Sequence, residues 1–279
     1  MMKETRAEHL AVEKLRPLDG HPFKVVDNEE MDQLTWSILT QGLLTPLVVR
    51  PLDNGEYEVI SGHRRLHACK KAGIETVPAL ITDMDRDAAA IALVDSNLQR
   101  EHILPSEKAY AYKLKLEAMN HQGRTSGQVG QKWTRDEIAE GESGRQVQRY
   151  IRLTNLIPGI LQKVDEGRIA LTPAVELSYL TDAEQEDLLE TMESEDCTPS
   201  LSQAIQMKAL SQSGQLDMDT IFHIMTQPKA NQQEKISFKV SELRDYFPRH
   251  YTAAQMIQEI KVALKERQQR LARQRDHSR

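Results

Sequence analysis

The stretch YEVISGHRRLHACKKAG, residues Tyr57–Gly73, sets the fold of the first part of the chain. Tyr57–Ile60 alternates as a strand, Ser61-Gly62 turns, and a helix opens on His63, Arg64 and Arg65. A helix N-terminus leaves backbone N–H groups unpaired and carries partial positive charge. Two guanidinium forks at that point make a site for an anion, most simply a phosphate. A solvated surface helix also carries arginines, so the neighbouring segments have to decide.

Upstream, Asp27-Asn28 precedes Met31, Leu34 and Ile38 at helical spacing, with Gly42 after the last turn. Pro46–Arg50, the turn Asp53–Gly55 and Tyr57–Ile60 read as a hairpin. Downstream, Gly73 fits a helix C-cap and Val77–Ile81 reads as a third strand. Ala88–Val94 reads as a buried helix, and Ser106 as the cap of another running to about Asn120. This gives an N-terminal tail over 1–20 and an α+β domain over 21–120.

The next part, 121–225, reads as all-helical. His121–Gln131 is a polar linker, Thr134–Ala139 a short helix, Gly141–Gly144 a tight turn and Arg145–Asn155 a second helix. Helix, glycine turn, helix is the outline of a helix-turn-helix, although small all-α bundles contain such pairs without touching DNA. The polar set on the second helix is Arg145, Gln146, Gln148, Arg149 and Arg152. Arginine pairs with guanine and glutamine with adenine in the major groove. After a polar linker over 226–235, the segment 236–279 reads as a strand, KISFKV, and a helix from about Thr252. Ile257, Ile260, Leu264 and Leu271 form an apolar stripe there, interrupted by Arg267; it pairs with a second copy or packs on its own chain.

Composition narrows the class. The chain has 279 residues, 39% hydrophobic and 28% charged, enough for two or three small domains of a soluble protein. Aromatics at 5% are too sparse for a base-stacking surface. No apolar run approaches a membrane span, and MMKETRAEHL lacks the apolar core of a signal peptide. Two cysteines make neither a disulfide framework nor a zinc site, so the expected location is the cytoplasm. The net charge of −6 counts against nucleic acid, yet its distribution is uneven. Thr181–Thr198 holds eight acidic residues and no basic one, whereas Lys261–Arg279 holds seven basic residues against two acidic. A local basic helix still docks on a duplex.

Three segments in order resemble the ParB family of partition proteins, such as those of bacterial plasmids, mobile elements and chromosomes. LTWSILTQGLLTPLVVRP is similar to the family segment ending Gln-Pro-Ile-x-Val-Arg, ISGHRRLHACKKAGIETVPALI to its Gly-Glu-Arg-Arg box, and SNLQREHILPSEKAYAY to its Glu-Asn-x-Gln-Arg-Glu segment. RQVQRYIRLTNLIP resembles the end of its helix-turn-helix. The likeness covers roughly Pro22–Leu180. It implies an α+β ParB/sulfiredoxin-like nucleotide-binding domain, an all-α helix-turn-helix domain and a short strand-helix dimerisation segment, 236–279. It also implies CTP as ligand, with Gly62, His63, Arg64 and Arg65 at the phosphates, Asn97 at Mg2+, and Thr45 to Arg50 beside base and sugar. A palindromic centromere-like DNA site, a homodimeric clamp on the nucleoid and a ParA-like ATPase partner follow from the same likeness.

Departures from the family pattern bear on catalysis. The box Glu is His63, and the Glu before Asn97 is Ser96, so only a weak CTPase is expected, with Asp95 or Glu101 as replacement carboxylate. EIAEGESGRQV is about two residues shorter than the usual spacing. Two other functions fit the same scaffold: a transcriptional regulator, and an ATP-dependent phosphotransferase, since sulfiredoxin-like enzymes carry a His-Arg pair where this chain has His63-Arg64.

Overall fold

The computed structural model describes residues 5–100, 102–125, 142–227, 240–248 and 250–276. The chain divides into two compact units, Met1–Gln227 and Pro228–Arg279.

The first unit opens with a five-stranded mixed sheet. Its strands are β1 (Thr5–Ala11), β2 (Leu15–Pro17), β3 (Leu47–Pro51), β4 (Tyr57–Ser61) and β5 (Thr76–Thr82), in the order β1-β5-β3-β4-β2. β1–β5 and β3–β4 pair antiparallel, whereas β3–β5 and β2–β4 pair parallel. Both faces of the sheet are covered, which follows from the side-chain period of two. Val49 and Val59 enter one core with Met31 of helix α1 (Glu29–Gln41) and Leu66 and Cys69 of α2 (His63–Lys71). The adjacent Val48 and Ile60 face the other, with Leu93 and Val94 of α3 (Arg86–Leu98) and Ala111 of α4 (Pro105–Thr125).

The hairpin, the third strand and three of these helices follow the sequence reading, including Asn28 as N-cap of α1 and Gly73 at positive φ after α2. The expected tail over 1–20 does not: within it, Thr5–Ala11 and Leu15–Pro17 supply both edge strands of the sheet. The reason is compositional, since β1 buries only Leu10 and shows charged residues elsewhere, as edge strands do. Ser106 is not a cap either. It lies inside α4, and its hydroxyl and N–H donate to Asp165 Oδ2 and Oδ1 at 2.6 and 2.9 Å. α4 also continues to Thr125, past the expected end at Asn120 and into the expected linker.

Beyond the gap come α5 (Gly144–Arg152), α6 (Pro158–Asp165), α7 (Leu171–Leu177), α8 (Asp182–Ser194), α9 (Leu201–Gln212) and α10 (Met218–Thr226). They share a core of Leu153, Ile160, Leu177, Leu188, Met207 and Ile224, among others. Capping boxes start α8 (Thr181, Glu184) and α9 (Ser200, Gln203), fixing both helix entries. α4 belongs to three clusters: Ala109 joins this helical core, Ala111 the sheet core, and Tyr112 and Met119 pack with Val147 of α5. The expected helix Thr134–Ala139 lies outside the described residues.

The second unit contains α11 (Val240–Leu243) and α12 (Ala253–Asp276). Thr252 and Gln255 cap α12 reciprocally, as the sequence reading placed its start. Most of the expected strand KISFKV lies outside the described residues, but its last residue, Val240, is helical. On α12, Ile257 and Leu264 are exposed and Met256 is buried.

Candidate nucleotide cradle and nucleic-acid interface

The cradle is built at the β4–α2 junction. Gly62 is the N-cap of α2, at φ +104°, and no side chain caps the helix. The first-turn N–H groups therefore point outward without a side-chain acceptor at the cap. A Cβ on Gly62 would stand 2.6 Å from Leu47 Cδ2 and 3.0 Å from Arg65 Nη2. Only glycine allows the backbone and the Arg65 fork to approach this closely. Arg65 is anchored as it crosses: its Nη1 donates to the carbonyls of Thr45 at 2.5 Å and Pro46 at 2.9 Å. Thr45 thus contributes backbone to the cradle, and its side chain is exposed. Arg64 reaches Glu30 at 3.0 Å in a largely exposed pair, which an incoming anion displaces at small cost.

A third arginine, Arg100, was not singled out from sequence. It lies just after α3, close enough to Arg64 to depress its pKa, although burial is the larger cause. Arg100 also stands 5.7 Å over the Phe23 ring. The signal for it was present in SNLQRE, three residues after Asn97.

His63, first residue of α2, turns inward. Its ring lies against His21, with centroids 3.8 Å apart and planes tilted by 44°, and its Nε2 is enclosed with no hydrogen-bond partner. Burial, then His21 and Arg100, push its pKa down to about 3. Burial is also the main reason the His21 pKa is lowered. Both rings are thus neutral at physiological pH.

Asn97 is buried on α3. Its amide nitrogen donates to Leu93 O at 2.8 Å and Ser96 Oγ at 3.3 Å, which leaves the carbonyl oxygen as the atom for a cation. Asp95, two residues back and so on another side of the helix, is paired with the buried Lys115 of α4 at 2.5 Å. That ion pair ties α3 to α4 and engages Asp95 Oδ1, the candidate catalytic carboxylate. Glu101 lies outside the described residues. Arg50 is likewise committed: its Nε donates to Glu58 Oε2 at 2.6 Å, directly across the β3–β4 ladder, with both side chains mostly buried. It is therefore held to the sheet rather than free to face base or sugar.

The second site is the exposed side of α5, capped by Ser143, whose hydroxyl accepts from Gln146 N. Arg145 is exposed. Arg149 is held between neutral acceptors, Gln146 Oε1 at 3.1 Å and Thr172 Oγ1 at 2.6 Å. Gln148 is half-exposed. Arg152 does not join them. Its Nη2 and Nε donate to Ser178 O and Oγ at 2.6 and 3.1 Å, and its guanidinium lies 3.9 Å over the Tyr179 ring. Its partners sit after α7, so it ties α5 to the bundle instead of offering its fork to a duplex.

Among the described residues no His, Cys, Asp and Glu cluster suits a metal, and no helix is long and apolar enough to cross a membrane. A family model for the ParB N-terminal domain matches residues 1–98. The probable chromosome-partitioning protein ParB of Vibrio cholerae is 30% identical over 247 residues, 88% of this chain and 80% of that protein. The nucleoid occlusion protein of Geobacillus kaustophilus is 39% identical over 118 residues, 41% of this chain and 42% of its own. Among solved structures, C-terminally truncated ParB from Caulobacter crescentus complexed to the centromeric parS site has 23% identity and a TM-score of 0.43, covering 74% of this chain and 99% of that one. The same protein complexed with CTP-γ-S has 25% identity and a TM-score of 0.32, covering 67% and 99%. These TM-scores describe loose overall superpositions. The Vibrio likeness, by contrast, runs at 30% identity through nearly the whole chain and takes in both sites, and on that ground the chain belongs to the ParB family of partition proteins.

Proposed function

We propose that this protein is a sequence-specific DNA-binding partition protein. It grips a palindromic, centromere-like site as a homodimer, closes into a clamp when it binds CTP, and works on the bacterial nucleoid with a ParA-like ATPase. The observation that carries the reading is the pairing of an uncapped, arginine-lined helix N-terminus with a second helix presenting Arg145, Gln146, Gln148 and Arg149 in one ParB-related chain. Residues 21–120 together with the edge strands β1 and β2 would form the nucleotide domain, 121–225 the DNA-reading domain and 236–279 the dimerising segment. Exposed Ile257 and Leu264 on α12 support the last assignment.

The residues present fit a triphosphate. Gly62 lets the chain approach it, and Arg64, Arg65 and Arg100 supply the charge. Bound Mg2+ would neutralise and bridge the phosphates, with the Asn97 carbonyl oxygen as its protein ligand. Hydrolysis would be slow, because no carboxylate is free beside Asn97 among the described residues: Asp95 is spent on Lys115, and Glu107 accepts from the N–H groups of Lys24 and Leu104. Against the phosphotransferase alternative stands the burial of His63, whose Nε2 is enclosed and whose ring lies against His21.

The test is selection of duplexes from a random pool by the full-length protein, followed by CTP titration with and without the enriched duplex. A palindromic motif, CTP binding that disappears in Arg65→Ala and little released phosphate support the reading. A pool without any motif removes the partition role. Rapid DNA-stimulated turnover removes the claim of slow hydrolysis.

A further inference from the structure

Beside the cradle lies a cluster of titratable side chains that neither the phosphate contacts nor the DNA-facing helix uses. It consists of two imidazoles in tilted contact, His21 from the loop before α1 and His63 from the start of α2, with ring centroids 3.8 Å apart and planes at 44°. The Val59 and Phe23 backbones favour the charged forms of His63 and His21, and burial outweighs both. Nε2 of His63 is enclosed and bonded to nothing. The charged groups facing the pair are Arg100, after α3, and Glu107, in the first turn of α4, with Arg64 of α2 beside Arg100. An enclosed nitrogen lone pair with no donor is an unused proton site.

We propose that the contacting His21–His63 pair takes up a proton when a polyphosphate enters the cradle, so that the protein holds its nucleotide more tightly in mild acid. This rests on the nucleotide reading above and adds a regulator to that site.

The sign follows from the field. In the empty protein, a proton on either ring would sit beside Arg100 and a second imidazole, in a half-buried place, so the pair stays neutral. A triphosphate laid across Arg64, Arg65 and Arg100 neutralises those arginines and adds negative charge of its own. The same ring nitrogen then lies in a field that favours its charged form. Folded-state affinity for the proton is low without ligand and raised with it, so by linkage the ligand binds more tightly as pH falls. For one proton the dissociation constant improves by up to about tenfold per pH unit, between the two titration midpoints. A carboxylate at position 63, charged before and after binding in this pH range, would take up no proton. Proton coupling is thus a consequence of the histidine in the box.

The experiment uses the full chain with CTP and with inorganic triphosphate as separate probes. Binding heats are measured by calorimetry near pH 6.5 in two buffers of very different ionisation enthalpy, and dissociation constants from about pH 8 to about pH 6. The proposal expects buffer-dependent heats corresponding to proton uptake in the wild type. The terminal phosphate of the ligand also titrates here, so the variants His21→Gln and His63→Gln provide the reference: uptake should fall in both. Ring C–H signals of the wild type, followed by proton NMR, should move to a higher titration midpoint when triphosphate is added, and this readout stands even where a variant fails to fold. Equal heats in the two buffers, unchanged ring midpoints, or full uptake in both variants would overturn the proposal. No heat and no shift with either probe at any pH would overturn the nucleotide reading itself, and the proton coupling with it.

Discussion

Replacing Gly62 with alanine perturbs the cradle at its narrowest point, and the structure gives the size of the effect. The φ of +104° at Gly62 is one that side chains rarely adopt, which costs about 1–3 kcal/mol. The added Cβ would stand 2.6 Å from Leu47 Cδ2. Leu47 is fully buried in β3 and cannot swing aside, so the clash costs another ~1–3 kcal/mol as overpacking. The sum, about 2–6 kcal/mol, is a large share of the ~5–15 kcal/mol that holds a typical domain folded. Gly55→Ala is the matched control: its φ is +78° with no atom within 4 Å of a new Cβ, so only the backbone term applies, about 1–3 kcal/mol. Urea denaturation of both variants, followed by circular dichroism, should therefore give a midpoint distinctly lower for Gly62→Ala than for Gly55→Ala. The clash should also push the Arg65 fork off the Thr45 and Pro46 carbonyls, so CTP affinity should fall at urea concentrations far below unfolding. Equal midpoints for the two variants, with CTP affinity intact, would refute the close approach on which the cradle depends.

Three further outcomes follow from the structure. Arg152→Ala should lower stability by about 1–3 kcal/mol through loss of the Ser178 hydrogen bonds and the Tyr179 contact, measured by thermal melting, and leave the preferred DNA motif unchanged. Arg149→Ala, by contrast, should weaken the selected duplex by ~1–3 kcal/mol and relax preference at one base pair. Removal of residues 236–279 should convert a dimer to a monomer in sedimentation velocity; an unchanged dimer would mean that the exposed face of α12 pairs with nothing.

The β4–α2 junction was legible in the sequence because each requirement is local. Strand alternation, a glycine turn and arginines in a first turn all lie within a few residues of one another. The edge strands were not legible, because β1 and β2 are polar segments whose strand character comes from β5 and β4, far along the chain. Arg152 shows the same limit. Positions 145, 149 and 152 share a helical stripe, so periodicity groups all three, and only Ser178 and Tyr179, about 26 residues on, take one away. Asp95 looked free beside Asn97 until Lys115, from the following helix, claimed it. Conversely, Arg100 was readable by position alone, as the cation one turn after Asn97. Local chemistry reads off the string, whereas the commitment of a charged side chain depends on partners brought up by the fold.

The helix α4 has a consequence for how such proteins can be recombined. Its residues are divided among the sheet core, the helical core and the packing of Val147 under α5. Its first turn also receives Asp165 from α6, and Lys108 bridges to Glu142, next to the cap of α5. A chimaera that joins the nucleotide cradle of one relative to the DNA-reading helices of another therefore has no clean seam on either side of α4. A cut before Pro105 strips the sheet of Ala111, and a cut after Thr125 leaves the donor bundle facing a foreign Ala109, Tyr112 and Met119. Grafting new DNA specificity onto this scaffold is accordingly a matter of exchanging surface residues of α5, with the whole of α4 inherited from the same parent as both cores.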